Sequence, residues 1–179
     1  MALGIWLSAG LMGCRGWGTD ASPPAFTRYE AERVSFAYPD DWSVVSQQGR
    51  NEGLFMGIHE LFGAGSARVF VTVYDAQAPF AAEDVAAMHL NALPYELAAL
   101  PVTETGSAAV TAQVGGRSVK GVSVGFTAPV DERPRAHTVQ AFTWKTERRT
   151  AAVITQVADA DADRARAGLA MVLESLRVH

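Results

Sequence analysis

The sequence predicts an α+β domain, a mostly antiparallel β-sheet flanked by helices. Three observations predict it. Segments that alternate apolar and polar residues come in pairs joined by short turns, as hairpins do. One internal segment, Ala81 to Leu93, switches to helical spacing. The chain then closes on an amphipathic stretch where Leu169, Val172, Leu173 and Leu176 recur at i, i+3, i+4 and i+7. Hairpins make antiparallel neighbours, and the helices must cover the apolar face or faces of the sheet.

Val34, Phe36 and Tyr38 alternate with Arg33, Ser35 and Ala37, which predicts a half-buried strand. Pro39-Asp40-Asp41 follows as a turn, with proline pre-setting φ at the second turn position. Trp42 then plugs the edge of the core. Ser43 to Ser46 and Gly53 to Leu61 read as the next strands, and Gly63-Ala64-Gly65-Ser66 breaks the pattern. Arg68 to Tyr74 is a strand rich in Val, Phe, Thr and Tyr. In the helical segment Val85, Met88 and Ala92 share one face, with Leu90 and Leu93 nearby. Glu83 and Asp84 lie in its first turn, where the helix dipole favours negative charge, and Pro94 stops it. Ser107 to Val114 and Arg117 to Thr127 form a hairpin around Gly115-Gly116. Pro129 to Pro134 is a loop. Ala136 to Lys145 and Thr150 to Val157 form a second hairpin, and Asp161 or Asp163 caps the final helix.

The chain has 179 residues, 49% hydrophobic and 19% charged, which suits one domain with a sizeable core. Its net charge of -4 comes with no basic stripe, so the electrostatic footprint of nucleic-acid binding is missing. There is a single cysteine, so no disulfide forms within the chain.

That cysteine ends the stretch Leu11-Met12-Gly13-Cys14, which reads as a lipobox. Residues Ala2 to Met12 are apolar apart from Ser8, the length of a signal-peptide apolar region and too short to span a bilayer that needs about 20 residues. The expected cut falls between Gly13 and Cys14. Small Gly13 lets the chain enter a peptidase extended, and the Cys14 thiol can become the nucleophile that takes up a diacylglyceryl group. Two other readings stay open: an ordinary secretory signal, or an N-terminal strand or helix with a buried free cysteine. The expected organisation is a signal peptide over 1–13, a Gly-, Ser- and Pro-rich tether over 14–28, and a domain over 29–179. Trp17 in the tether is either a membrane-interface residue or an incidental exposed aromatic. The expected location is the cell envelope, on the outer membrane or the exported face of the cytoplasmic membrane. The expected partners are the membrane, held through the lipid, and an unidentified envelope protein.

Few residues suggest catalysis. Gly121-Val122-Ser123-Val124-Gly125 matches a nucleophile elbow, and Asp131 and His137 follow in the order used by α/β-hydrolases. The elbow needs a strand, a strained turn and a helix. Here Val122, Val124 and Phe126 alternate, which puts Ser123 on the opposite face of a strand. A serine hydrolase using Ser123 is therefore the alternative, not the first reading. Asp159-Ala160-Asp161-Ala162-Asp163 resembles the opening of a calcium loop, but Arg164 and Ala170 stand where such a loop needs Gly and Glu. His59, His89, His137 and His179 show no metal-ligand spacing. No catalytic residue, metal or cofactor is assigned. Arg133 and Arg135 flank Pro134 in the expected loop, a place where binding residues often lie.

The run Arg33-Val34-Ser35-Phe36-Ala37-Tyr38-Pro39-Asp40-Asp41-Trp42, an apolar strand ending in Tyr-Pro-x-x-Trp, resembles the Mog/PsbP-like superfamily. So does the ending, with its closing hairpin and the helix Met171-Val172-Leu173-Glu174-Ser175-Leu176. That superfamily includes bacterial DcrB-like and LpqN-like lipoproteins. The resemblance spans roughly Tyr29 to Val178. It implies a PsbP-like α/β/α sandwich with a non-catalytic role in binding or assembly, and it carries over no catalytic residue. A cytosolic chaperone or regulator of the same fold is a further alternative.

Overall fold

A computed structural model describes residues 25–31, 33–51, 54–75, 77, 79–96, 102–130 and 133–179. The expected signal peptide, Gly13, Cys14 and Trp17 lie outside the described residues. Among those described, two sheets form. The larger has seven strands: β3 (Ser43–Asn51), β4 (Leu54–Phe62), β5 (Arg68–Tyr74), β6 (Thr103–Val114), β7 (Arg117–Val130), β8 (Arg133–Lys145) and β9 (Thr150–Ala158). They run in the order β3-β4-β5-β9-β8-β7-β6, each antiparallel to its neighbours. The smaller sheet places β2 (Val34–Pro39) between β1 (Phe26–Glu30) and β10 (Arg177–Val178). Helix α1 (Ala82–Glu96) and helix α2 (Ala162–Ser175) complete the α+β fold.

The seven-stranded sheet is the middle layer. One face carries Leu61, Val69, Val71, Val73, Phe142 and Val153, and it packs against α2 and the small sheet. From α2 come Ala165, Val172 and Leu173, and from β2 come Val34 and Phe36. Trp42 lies between these layers. A side chain at Gly63 or Gly168 would run into its indole, so glycine is required on both sides of the ring. On the opposite face, Ala82, Val85, Ala86 and Leu93 of α1 cover Val122, Val124, Phe126, Val139 and Ala141 of β7 and β8.

Turn chemistry sets several registers. Gly115 and Gly116 take φ of +60° and +78°, the left-handed pair that a two-residue hairpin needs. The Gly115 N–H also donates to the Leu173 carbonyl at 2.8 Å, tying the hairpin to the end of α2. Ser66 ties the β4–β5 loop to the corner between β9 and α2. Its N–H and hydroxyl donate to Asp161 at 3.0 and 2.7 Å, while its oxygen accepts from the Ala158 N–H at 2.8 Å.

Several local expectations change. Strand β1 takes in Phe26, Thr27 and Arg28, the last three residues of the expected tether, because they pair with Pro39, Tyr38 and Ala37. Pro94 does not stop α1, which runs on to Glu96. A proline this near the end removes one backbone donor, and the helix closes two residues later. Pro129 to Pro134 is not an open loop, since β7 and β8 stay paired up to Val130 and Arg133. Asp161 holds the N-cap position of α2 without bonding to its N–H groups; its carboxylate serves Ser66 instead. Those hydrogen bonds keep the Asp161 carboxyl below its usual range. Leu176 is buried but extended, and it leads into β10 rather than completing the helix.

Candidate functional site

Helix α1 covers β7, β8 and β9 and reaches Phe70 of β5 through His89, while among the described residues it leaves the same face of β3 and β4 open. A groove of about 450 Å³ lies in the angle between the helix and those strands. Register builds its floor. Val45, Glu60, Phe70 and Ile154 stand in one row across the strands, and Gln47, Ile58, Thr72 and Ala152 in the next. Met56 and Tyr74 start a third row. The wall is α1, which turns Val85, Met88, His89 and Ala92 toward the floor. Val85, Met88 and Ala92 thus share a face as expected. Only Val85 reaches the core, while Met88 is 42% exposed.

Glu60 and His89, the two ionisable side chains that line the groove beside Tyr74, are engaged. Glu60 accepts from Arg68 at 3.2 Å, and the Arg68 guanidinium also lies 5.0 Å over the Phe62 ring. His89 Nε2 is 2.7 Å from Gln156 Oε1, and its ring meets Phe70 at 4.8 Å. Tyr74 packs on Phe80 at 5.0 Å. Burial raises the pKa of the Tyr74 phenol, so it stays protonated.

The suggested triad does not assemble. Ser123 pairs with Gln140 and points to the α2 side of the sheet. His137 points to the α1 side, where it stacks on Phe126 at 5.1 Å and bonds the Arg135 carbonyl at 3.0 Å. Strand β7 runs straight through the Gly-x-Ser-x-Gly stretch, with no helix behind the serine. Asp131 lies outside the described residues. Arg133 and Arg135 stand exposed at the start of β8, away from the groove. Among the described residues no three His, Cys, Asp or Glu side chains converge as metal ligands. The four histidines go separate ways. His59 bonds Tyr29 in the core, His89 lines the groove, His137 stacks on Phe126, and His179 meets Ser35 of β2. Burial lowers the His59 pKa.

Sequence reasoning did not single out the groove. One signal was present: Met56, Ile58 and Phe70 are large apolar residues on the face opposite Leu61 and the valines of β5.

This layering defines a PsbP-like α+β fold. Among solved structures, the chain is similar to cyanobacterial PsbP (CyanoP) from Synechocystis sp. PCC 6803, with TM-score 0.52, 14% identity, and 94% of this chain and 99% of that one covered. It is also similar, more loosely, to LpqN of Mycobacterium tuberculosis, described as involved in cell envelope biogenesis. There the TM-score is 0.38, identity is 13%, and 89% of this chain and 87% of that one are covered. No protein family and no curated protein matches the sequence.

Proposed function

We propose that this chain is a lipid-anchored cell-envelope protein whose PsbP-like domain acts as a non-catalytic binding or assembly module. The groove beside α1 carries the binding part of this reading. It is a cavity of about 450 Å³, within the size range of small-molecule sites, and its charged groups are already paired. Such a site favours holding a partner over acting on one. No helix of the described residues is long and apolar enough to cross a membrane, so attachment would fall to the lipid on Cys14. With β1 starting at Phe26, residues 15–25 would form the tether, reaching about 36 Å when fully extended.

Mass spectrometry of the membrane-extracted protein tests the anchor. The expected species starts at Cys14 and carries acyl chains. An unmodified Cys14 with residues 1–13 still attached overturns it. Cys14→Ser should release the protein from the membrane fraction or block its maturation.

A further inference from the structure

We infer that the groove between α1 and the β3-β4-β5 face binds an uncharged, mostly apolar small molecule. The inference rests on reading the domain as a binding module and names the chemistry of its ligand. Three observations carry it. First, the walls and floor are predominantly side chains without charge, and both Val45 of β3 and Met88 of α1 line it as large exposed hydrophobics. Two of the four large hydrophobics exposed among the described residues therefore belong to one cavity. Second, the groove has no charge to spare. Its carboxylate, Glu60, is taken by Arg68, and its imidazole, His89, by Gln156. An ionised ligand would leave water and meet no counter-charge, which is unfavourable in an apolar site. Third, the remaining polar side chains are neutral: the Thr72 hydroxyl, the Tyr74 phenol and the Gln47 amide. They suit a ligand with a hydrocarbon or aromatic body and one or two hydroxyl or carbonyl groups. Met56 and Met88 add soft, adaptable side chains that favour contact with an aromatic body.

The test uses the full chain carrying Cys14→Ser, so that no attached lipid competes. The probe is N-phenyl-1-naphthylamine, an uncharged apolar fluorophore, and the methionine methyl groups are followed by NMR. The Met56 and Met88 methyl signals should shift together along one saturable curve while Met171, on α2, stays fixed. 2-Naphthylmethanol should displace the probe at least about tenfold better than 2-naphthoate, the same frame carrying a charge. Met88→Asp and Val45→Asp, both at exposed positions, should each weaken probe binding by about tenfold or more. Phe26→Asp, at an exposed aromatic outside the groove, should leave it unchanged. Non-saturable binding, equal shifts at Met171, competition by naphthoate as good as by the alcohol, or indifference to both Asp variants would overturn the inference. The two readings fail separately. A chain that binds the probe but carries no lipid in cells loses only its anchor, and a lipidated chain with an inert groove loses only this ligand.

Discussion

On strand β5 the side chains of Val69, Val71 and Val73 are fully buried, while Phe70 and Thr72 between them stay partly exposed. The same backbone thus serves two differently finished faces. Over β5 the valine face is closed by α2 and the small sheet. The phenylalanine face is closed only over β7, β8 and β9, because α1 is its one described helix. The valine face is a core, where each side chain is fixed by those around it. The other face is half core and half open cavity. Closed core and open cavity are therefore divided between the two sides of one sheet, and substitutions should sort by side.

The largest effect is expected on the closed side. Trp42→Ala or Phe142→Ala should cost about 3–5 kcal/mol, read as a lower urea midpoint, because each leaves a void between layers that cannot collapse. A loss below about 1 kcal/mol would mean that this face is not the stabilising one. Gly168→Ala should cost about 1–3 kcal/mol, since the added methyl meets the Trp42 indole and either α2 or the ring must move.

A pH titration sharpens the contrast next. His59 is buried on the closed side with a lowered pKa, so the folded state holds it neutral while the unfolded chain takes up a proton near pH 6.5. The stability tied to His59 is therefore fully present above about pH 6.5 and is lost as pH falls below it. His59→Gln should flatten that slope in urea titrations at several pH values, and an unchanged slope would place the sensitivity elsewhere. The smallest effect belongs to the open side. Met88→Ala should change stability by less than about 1 kcal/mol, because that side chain is already 42% exposed. A loss as large as that of Phe142→Ala would erase the distinction between the faces.

Much of the fold was legible because it is local. The alternation from Arg68 to Tyr74 matches β5 at both ends, and Gly115-Gly116 marks its hairpin turn. The misread places are those where a distant partner decides. Phe26 to Arg28 looks like tether until β2 pairs with it, and Arg177–Val178 forms a strand only against the other side of β2. The prolines at 129 and 134 suggest a loop, yet they face each other at the end of the β7–β8 ladder. Asp161 has the chemistry of a cap, but Ser66, far away in sequence, claims its carboxylate. The groove was illegible for the same reason. Val45, Ile58, Phe70, Met88 and Ile154 come together only because β9 inserts beside β5 and α1 lies to one side. Helical spacing placed Val85, Met88 and Ala92 on one face, but spacing alone does not tell a face that meets a core from one that overhangs a cavity.

Trp42 has an optical consequence. Its indole, 6% exposed, is held between glycines of the β4–β5 loop and of α2. Its fluorescence therefore reports on the seam between two layers rather than on one strand. Any motion that lifts α2 from the sheet admits water to the ring and moves its emission to longer wavelength. A ligand entering on the α1 side of the sheet leaves that environment alone. With Trp6, Trp17 and Trp144 replaced by phenylalanine, the remaining indole becomes a gauge for telling an event in the groove from a loosening of the core.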